Sequence, residues 1–334
     1  MMLLLSFSAL ALTACAVSPS SPAQSQPTEL GQVDWLRDHD AALSRARTDD
    51  KPVFALFQEV PGCSTCKNFG SGPLSHPLLV EAIEELFVPL AIYNNVRGAD
   101  ARVLEAYDEP SWNNPVVRYL DADGGDIVTR KDRVWATSSV AARTAEALEA
   151  SGGDVPAWLS LVVEETDDRR HKSATFAMGC FWQGEARLGS LDGVIATEAG
   201  WQGGLEVVEV RYDPRRISDD ELRQAAEQAQ CSKVDRDRMT GSPRAAADSD
   251  KKYFLQRTPF RYLPLTPMQR TKVNAALGTR SDAERWLSPR QKELLSDVRT
   301  ALDKNAHELN GLTPPDSVQG LAAYENQLRK RLQS

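Results

Sequence analysis

Residues that bind metals are scarce in this sequence. Its 334 residues include only five cysteines and four histidines, with a single Cys-x-x-Cys pair and no histidine close to that pair. A structural zinc site usually needs four such ligands at short spacings, so the pattern argues against structural zinc. A phosphate-binding glycine loop is absent as well. We therefore expect neither a metal nor a cofactor.

Positive charge is also in short supply. The chain has 39 Lys and Arg residues against 47 Asp and Glu residues, which gives a formal net charge of −8. A protein that binds nucleic acid normally has a basic surface, so we expect no nucleic-acid partner. The length, together with a hydrophobic content of 41%, favours about two globular domains.

The apolar stretch at the amino terminus, residues 1–15, is too short to cross a bilayer as a mature helix. Its length and its small terminal residues are typical of a signal peptide. The sequence LTAC that ends at Cys15 resembles the bacterial lipoprotein signal, in which the cysteine becomes the lipidated first residue. Residues 16–30 then predict a flexible tether. We expect an exported protein, anchored by a lipid on the periplasmic side of a bacterial membrane; plain secretion with an incidental cysteine is the alternative.

Cys63 and Cys66 follow an apolar segment, in a setting typical of redox sites. Residues 51–58 predict a buried strand, and a turn and a helix follow it. Downstream, the pattern predicts a strand at 86–93, a strand–turn–strand hairpin at 113–130 and a helix at 137–151 capped by Ser or Thr. Because the chain is expected to be exported, the pair is interpreted first as disulfide chemistry.

This order of elements resembles the thioredoxin fold over about residues 31–160. The resemblance implies that Cys63, exposed at a helix start, is the attacking nucleophile and that Cys66 resolves the mixed disulfide. It also implies a cis bond at Pro115, beside the edge that binds substrates. The sequence VPGC resembles a bacterial thioredoxin-like group in which selenocysteine can occupy the first position. A purely structural disulfide is the alternative, which we favour less because closing so short a loop adds little stability.

A lone cysteine in the second half lies where a strand is predicted to meet a helix. Residues 174–178 predict the strand, Cys180 follows it, and the amide groups at the start of the next helix favour a thiolate there. A hairpin with a Gly-Gly turn and a helix capped by Ser218 complete a βαββα order, which is an α+β pattern.

Three short sequence motifs here resemble those of peptide methionine sulfoxide reductase A: GCFW, TEAGWQGG and EVVEVRYDPRRIS. The match is strongest over residues 174–222. It implies that a thiolate at Cys180 attacks the sulfur of a methionine sulfoxide and that Glu206 supplies a proton to the leaving oxygen. The products would be methionine and a sulfenic acid on Cys180.

The same resemblance assigns substrate binding and resolution. Phe181 and Trp182 would form an apolar pocket for the substrate methyl group, and Trp201 stands where the family has a tyrosine on the neighbouring strand. Cys231 is the other cysteine of this half and is the candidate that would resolve the sulfenic acid. An inert buried thiol is the alternative for Cys231.

The second half also departs from the family. The longer segment between Gly-Gly and the acidic residue is reduced to Leu205, and the family's His-Asp-Pro reads Gln230-Cys231-Ser232. The motif Asp-x-Gly-Thr-Gln-Tyr-Arg-Ser, which holds the sulfoxide oxygen, is not recognisable; 248–267 is the nearest stretch, with Phe260 near the expected tyrosine. Losing such oriented donors can cost about 100–1,000-fold in rate. We expect the nucleophile and the acid to be retained beside an incomplete oxygen site.

We therefore expect two domains of different class. An α/β thioredoxin-like domain spans 31–160, a linker spans 161–172, and an α+β, ferredoxin-like domain of the methionine sulfoxide reductase A type spans 173–334. The last of these would include C-terminal helices at 281–304 and 316–333, where apolar residues recur at helical spacing.

These features predict an exported thiol oxidoreductase that reduces methionine sulfoxide in proteins or peptides. The first domain would recycle the second and would itself depend on a thiol reductant system, with fusion raising the effective concentration of reductant. The alternative is a thiol–disulfide oxidoreductase for other envelope proteins, whose second domain is a degenerate binding module. A lipoprotein scaffold with structural disulfides is a third interpretation.

Overall fold

The computed structural model describes residues 26–167, 171–229, 239–304 and 307–333. The predicted signal peptide with Cys15, most of the predicted tether, and Cys231 lie outside the described residues. None of the described helices is long and apolar enough to cross a membrane.

The first domain is built around a three-stranded sheet. Its strands are β1 (Val53–Gln58), β2 (Val88–Tyr93) and β3 (Val116–Leu120). Its helices are α1 (His39–Asp49), α2 (Ser64–Ser71), α3 (Pro77–Leu86), α4 (Ala99–Ala106), α5 (Thr137–Ala150) and α6 (Ala157–Thr166). Strand β1 is central, parallel to β2 and antiparallel to β3. All six residues of β1 are buried; the first five are apolar, as expected for a buried strand, and the sixth is Gln58.

Two details of this domain differ from the sequence prediction. The hairpin at 113–130 has only its first strand, since pairing beyond the turn stops after Ile127, which donates to the Tyr119 carbonyl at 2.9 Å. Beyond this point Arg130 donates to the buried carboxylate of Glu109 at 2.8 Å. Helix α5 begins after Ala136 without a side-chain cap, so its predicted Ser or Thr cap is wrong.

The second domain contains a four-stranded sheet. Its elements are β4 (Lys172–Ala177), α7 (Phe181–Gly189), β5 (Val194–Gln202), β6 (Leu205–Tyr212), α8 (Asp219–Ala229) and β7 (Arg244–Ala245). The sheet order is β4-β6-β5-β7, and all pairs are antiparallel. The chain order β-α-β-β-α-β is that of ferredoxin-like domains, which confirms the predicted fold class. Helix α8 has the predicted cap: Glu221 N–H donates to Ser218 Oγ at 3.2 Å.

Four further helices follow: α9 (Tyr253–Gln256), α10 (Pro267–Thr279), α11 (Pro289–Asp303) and α12 (Leu321–Leu332). Helices α11 and α12 confirm the two predicted C-terminal helices, although α11 starts later than 281. Helix α10 was not predicted. Its signal is the capping box of Thr266 and Gln269, with Pro267 at the first helical position.

Helix α6 contacts both domains. Trp158, Leu159 and Val162 belong to the core of the first domain, whereas Leu161 packs with Ile195 and Met268 of the second. Residues 161–166, which the sequence analysis assigned to a linker, belong to this helix. The domain boundaries themselves stay a prediction.

Charged side chains add to this contact between the domains. Met268 N–H at the start of α10 donates to Glu165 Oε1 on α6 at 3.0 Å. Arg290 of α11 lies 2.7 Å from Glu84 and donates its backbone N–H to Glu81 at 2.8 Å, both on α3. The two domains are thus packed against each other rather than joined only by a tether.

Histidine burial predicts an acid-sensitive step in stability. Burial lowers the pKa of His76 from 6.5 to about 4, and neither ring nitrogen has a hydrogen-bond partner in the described structure. Because the folded state binds this proton less readily than the unfolded state, stability falls as pH drops from about 6.5 to 4. Between pH 7 and pH 4 we expect this residue alone to cost about 3 kcal/mol. Urea unfolding at the two pH values should show this loss, and His76→Leu should reduce it. An unchanged pH dependence in His76→Leu, matched to the exposed-site control His307→Gln, would contradict the assignment.

Candidate active site

The first group of reactive side chains lies at the start of α2. Cys63 occupies the position just before the helix and is exposed, whereas Cys66 lies one turn inside and is fully buried. Both thiols are free, and their sulfur atoms are 3.7 Å apart. Cys66 Sγ donates to Asn114 Oδ1 at 2.9 Å. The structure therefore brings together the two cysteines that the sequence singled out.

The two thiols differ in acidity. Hydrogen bonding, chiefly from the Cys66 backbone N–H, lowers the pKa of Cys63. Burial raises the pKa of Cys66 to about 11. The thiolate therefore forms at Cys63 first, which supports its predicted role as nucleophile and that of Cys66 as resolver.

Alkylation should separate the two sulfurs. At mildly acidic pH, iodoacetamide is expected to modify Cys63 at least about tenfold faster than Cys66, because the thiolate is the reacting species and Cys66 is buried. Peptide mapping by mass spectrometry of briefly treated, reduced protein measures the ratio. In Cys63→Ser the slow rate of Cys66 should persist. Faster labelling of Cys66 in the unmodified chain would reverse the two roles.

Three exposed apolar side chains belong to the same domain as this cysteine pair. The Asn114–Pro115 peptide bond is cis, and Trp135 Nε1 donates to the Pro115 carbonyl at 3.2 Å. Trp112 is 79% exposed, and Val96 follows Asn95, whose side-chain amide donates to the Pro61 carbonyl at 3.2 Å. Within the described residues, Val96, Trp112 and Trp135 are the exposed large hydrophobic side chains. We call these three residues the apolar rim.

The second group lies where β4 leads into α7. Cys180 is half-buried and precedes the first residue of α7. Glu206 Oε2 accepts from the Phe181 backbone N–H at 2.6 Å, which places this carboxylate beside Cys180 at the start of the helix. The Glu206 carboxylate and Cys180 therefore lie at the same helix start.

The shortened loop does not remove Glu206 from this site. Gly203 and Gly204 have φ values of 58° and 78°, which only a glycine adopts readily, and they form the tight turn between β5 and β6. The turn sets Glu206 directly opposite Trp201 in the hairpin. A two-residue turn is thus sufficient to bring Glu206 to its place at the start of β6, without the longer segment that the family has here.

Aromatic rings line the same corner. The ring of buried Phe181 lies 5.4 Å from Trp201 and 5.9 Å from Trp182, between ring centroids. Tyr253 stacks on Trp182 with centroids 3.9 Å apart and an interplanar angle of 22°. The Arg257 guanidinium lies 3.4 Å above the Tyr253 ring. Trp182 Nε1 is buried and has no hydrogen-bond partner among the described residues.

Tyr253 was missed by sequence reasoning, which had considered Phe260 instead. Phe260 lies in the C-terminal core with Leu263 and Val298, so it is not the residue that reaches this corner. A signal was present: Asp248 and Tyr253 are separated by five positions, as are the aspartate and tyrosine of the family motif. The intervening residues differ, which concealed the match.

A buried ion pair fixes the backbone beside Tyr253. Lys252 Nζ lies 2.8 Å from Glu185 Oε1, and the Lys252 backbone N–H donates to Glu185 Oε2 at 2.9 Å. Glu185 is fully buried on α7. Burial by itself would lower the pKa of Lys252, but the carboxylates of Glu185 and Glu198 outweigh burial and raise it. Lys252 therefore keeps its charge, and the pair ties Tyr253 to the helix that begins beside Cys180.

Comparison with known proteins finds a family match in the first half of the chain and a sequence similarity that fits the second half. Residues 34–122 match the family model described as Thioredoxin-like. The chain is similar to peptide methionine sulfoxide reductase A5 of Arabidopsis thaliana, with 42% identity over 72 residues, 18% of this chain and 28% of that protein. It is also similar to peptide methionine sulfoxide reductase MsrA of Geobacter metallireducens, with 44% identity over 68 residues, 15% of this chain and 42% of that protein.

The chain thus spans less than half the length of these reductases, and the similarity fits the second domain. A solved structure named DsbH Oxidoreductase has a TM-score of 0.31 and 16% identity, covering 40% of this chain and 95% of that one. The first domain is thioredoxin-like, and this family match together with the sequence similarity to the reductases supports an oxidoreductase.

Proposed function

We propose that this protein is an exported thiol oxidoreductase that reduces methionine sulfoxide at Cys180 and is recycled through Cys63 and Cys66. The observation that carries the proposal is the hydrogen bond from Phe181 N–H to Glu206 Oε2, which holds a carboxyl group beside a half-buried thiol at a helix start. A nucleophile with an acid next to it is what reduction of a sulfoxide requires.

In the first step the Cys180 sulfur attacks the sulfoxide sulfur. The sulfoxide oxygen is protonated and is transferred to the Cys180 sulfur. Glu206 supplies the proton from the carboxyl oxygen that does not accept from Phe181. The sulfoxide gains two electrons and leaves as methionine, while Cys180 loses two electrons and becomes a sulfenic acid. Trp182 Nε1–H and the Tyr253 hydroxyl are the donors that we assign to the sulfoxide oxygen in place of the missing motif.

In the second step a thiol condenses with the sulfenic acid, forming a disulfide and releasing water. Cys231 is the proposed partner. The Cys63 thiolate then attacks that disulfide, and Cys66 displaces the resulting mixed disulfide, which leaves Cys63 and Cys66 oxidised. An external thiol reductant restores them. The lipid anchor on Cys15 and the periplasmic location belong to the same proposal.

The experiment that tests the proposal follows the sulfur chemistry directly. The reduced, full-length protein is incubated with a peptide that carries methionine sulfoxide, and mass spectrometry maps the peptide product and the disulfides. With excess sulfoxide peptide we expect methionine in the peptide, a disulfide between Cys63 and Cys66 and, once that pair is oxidised, a disulfide that includes Cys180. A peptide with methionine sulfone serves as the control that should remain unchanged. No methionine formation, with Cys180 left as a thiol, would refute the reductase activity.

The apolar rim favours a second candidate function. Val96, Trp112 and Trp135 are exposed in the domain that carries Cys63 and offer apolar contact to an extended polypeptide, so the first domain could reduce disulfides of other proteins. In that case Cys180→Ser would leave reduction of a disulfide-bonded peptide unchanged, and the sulfoxide peptide would not react.

A further inference from the structure

We propose that Glu59, Cys63 and Cys66 form a binding site for a thiophilic divalent cation of the zinc or cadmium class. One ligand atom from each of the three side chains lies within 4.8 Å of the other two. The site belongs to the reduced protein, in which both thiols are free. It goes beyond the proposed activity, since it requires no sulfoxide and no second domain.

The sulfur separation already fits a bound metal. A tetrahedral centre with Zn–S bonds of about 2.3 Å holds two sulfurs about 3.8 Å apart. Cys63 and Cys66 hold their sulfurs 3.7 Å apart. Both thiols can therefore bind the same ion without movement of the helix that carries them.

Local structure prearranges the third ligand. Glu59 directly follows β1, and the turn that leads to Cys63 is so tight that a Cβ atom on Gly62 would lie 2.4 Å from the Glu59 carbonyl and 2.9 Å from Cys66 Sγ. Glycine at this position allows the two ends of the segment to approach each other. Glu59 is only half-buried and Cys63 is exposed, so an ion can enter from solvent.

The donor set selects the class of metal. Two thiolates exclude Mg²⁺ and Ca²⁺, which take oxygen ligands, and the carboxylate favours a borderline cation over a purely soft one. Three protein ligands leave the fourth position open to water, as in zinc sites that exchange ligands. Asn114 Oδ1 accepts from Cys66 Sγ at 2.9 Å in the reduced protein.

Binding involves no redox change. Each thiol loses one proton as a metal–sulfur bond forms, so one cation replaces two protons while Glu59 binds as carboxylate. The bound ion occupies the Cys63 sulfur and blocks its attack on disulfides. Conversely, oxidation of the pair to a disulfide removes two of the three protein ligands. Metal binding and disulfide formation therefore compete for the same two sulfurs.

The test uses the full-length, reduced protein under anaerobic conditions, with Co²⁺ as a coloured probe and Zn²⁺ as its competitor. We expect one Co²⁺ per chain with the strong near-ultraviolet band of thiolate coordination, displaced by Zn²⁺. Glu59→Gln should weaken binding at least about tenfold, the scale seen for losses around metal sites. The exposed-site control Glu149→Gln should bind as the unmodified chain does.

Two further arms keep the proposal falsifiable if a variant folds poorly. Unmodified protein whose Cys63 and Cys66 have been oxidised to a disulfide should lose the site, and Cys180→Ser should keep it. Binding that survives in Cys63→Ser/Cys66→Ser or in the oxidised protein would place the ion on other residues and overturn the proposal. Equal affinity in Glu59→Gln and the unmodified chain would also overturn it. None of these readouts depends on sulfoxide reduction.

Discussion

Glu206→Gln is expected to slow methionine sulfoxide reduction about 100-fold or more, the scale of a positioned general acid, while Cys180→Ser abolishes turnover. The glutamine retains a carbonyl oxygen that can accept from Phe181 N–H, the contact that Glu206 Oε2 makes at 2.6 Å. The start of α7 should therefore survive, and only proton delivery is lost. Single-turnover assays with a sulfoxide peptide measure both rates.

The matched control is Glu209→Gln, an exposed position on the same strand as Glu206. Its rate should equal that of the unmodified chain. Circular dichroism and thermal unfolding should show that both glutamine variants are folded. Full activity in Glu206→Gln would remove this carboxyl group from the mechanism and leave the oxygen to the donors on Trp182 and Tyr253.

Lys252→Met is expected to destabilise the chain by about 3–5 kcal/mol, because it leaves Glu185 buried without its partner. The loss should extend to activity, since the Lys252 side chain ties the segment before Tyr253 to Glu185 of α7, and Tyr253 packs on Trp182. Urea unfolding of the full chain gives the free energy, and the sulfoxide assay gives the rate under conditions where the variant is folded.

A double variant separates charge burial from packing. Glu185→Leu/Lys252→Met removes both charges, and it should recover most of the stability lost in Lys252→Met. Lys251→Met is the neighbouring control: Lys251 pairs with exposed Asp248 at 2.8 Å, so its cost should stay below about 1 kcal/mol. If Lys252→Met costs no more than Lys251→Met, the buried pair does not stabilise this corner.

The sequence predicted those parts of the site that depend on local order. An apolar strand, a turn and a helix start located the cysteine pair, and the resemblance to the thioredoxin fold implied that Cys63 is exposed and that Cys66 lies one turn inside. Likewise, Cys180 and Glu206 belong to short segments whose strands and turn are encoded nearby. Glu59 was overlooked because cysteine and histidine spacing alone was considered, although it lies only four positions before Cys63.

Long-range polar contacts could not be predicted in this way. Lys252 and Glu185 are 67 positions apart, and nothing in either segment marks them as partners. Helix α10 escaped detection because it is buried on several sides, including polar Gln269, Lys272 and Asn274. Tertiary hydrogen bonds engage those side chains, as where Lys272 Nζ donates to the Leu191 carbonyl at 2.7 Å and Asn274 Oδ1 accepts from the Leu255 backbone N–H at 3.1 Å. Their burial hides the apolar periodicity by which a surface helix is recognised.

The position of helix α6 affects how the chain unfolds. Its Trp158 and Val162 complete one core, while Leu161 and Glu165 on the same helix hold the other. If either half unfolds and releases this helix, apolar surface of the other half becomes exposed. Heat or denaturant should therefore melt the two halves in a single cooperative transition, and a protein divided after residue 160 would yield fragments that each lack part of their interior. The cysteine sites of the two halves are joined through one shared helix, α6, so both depend on the same free energy of unfolding.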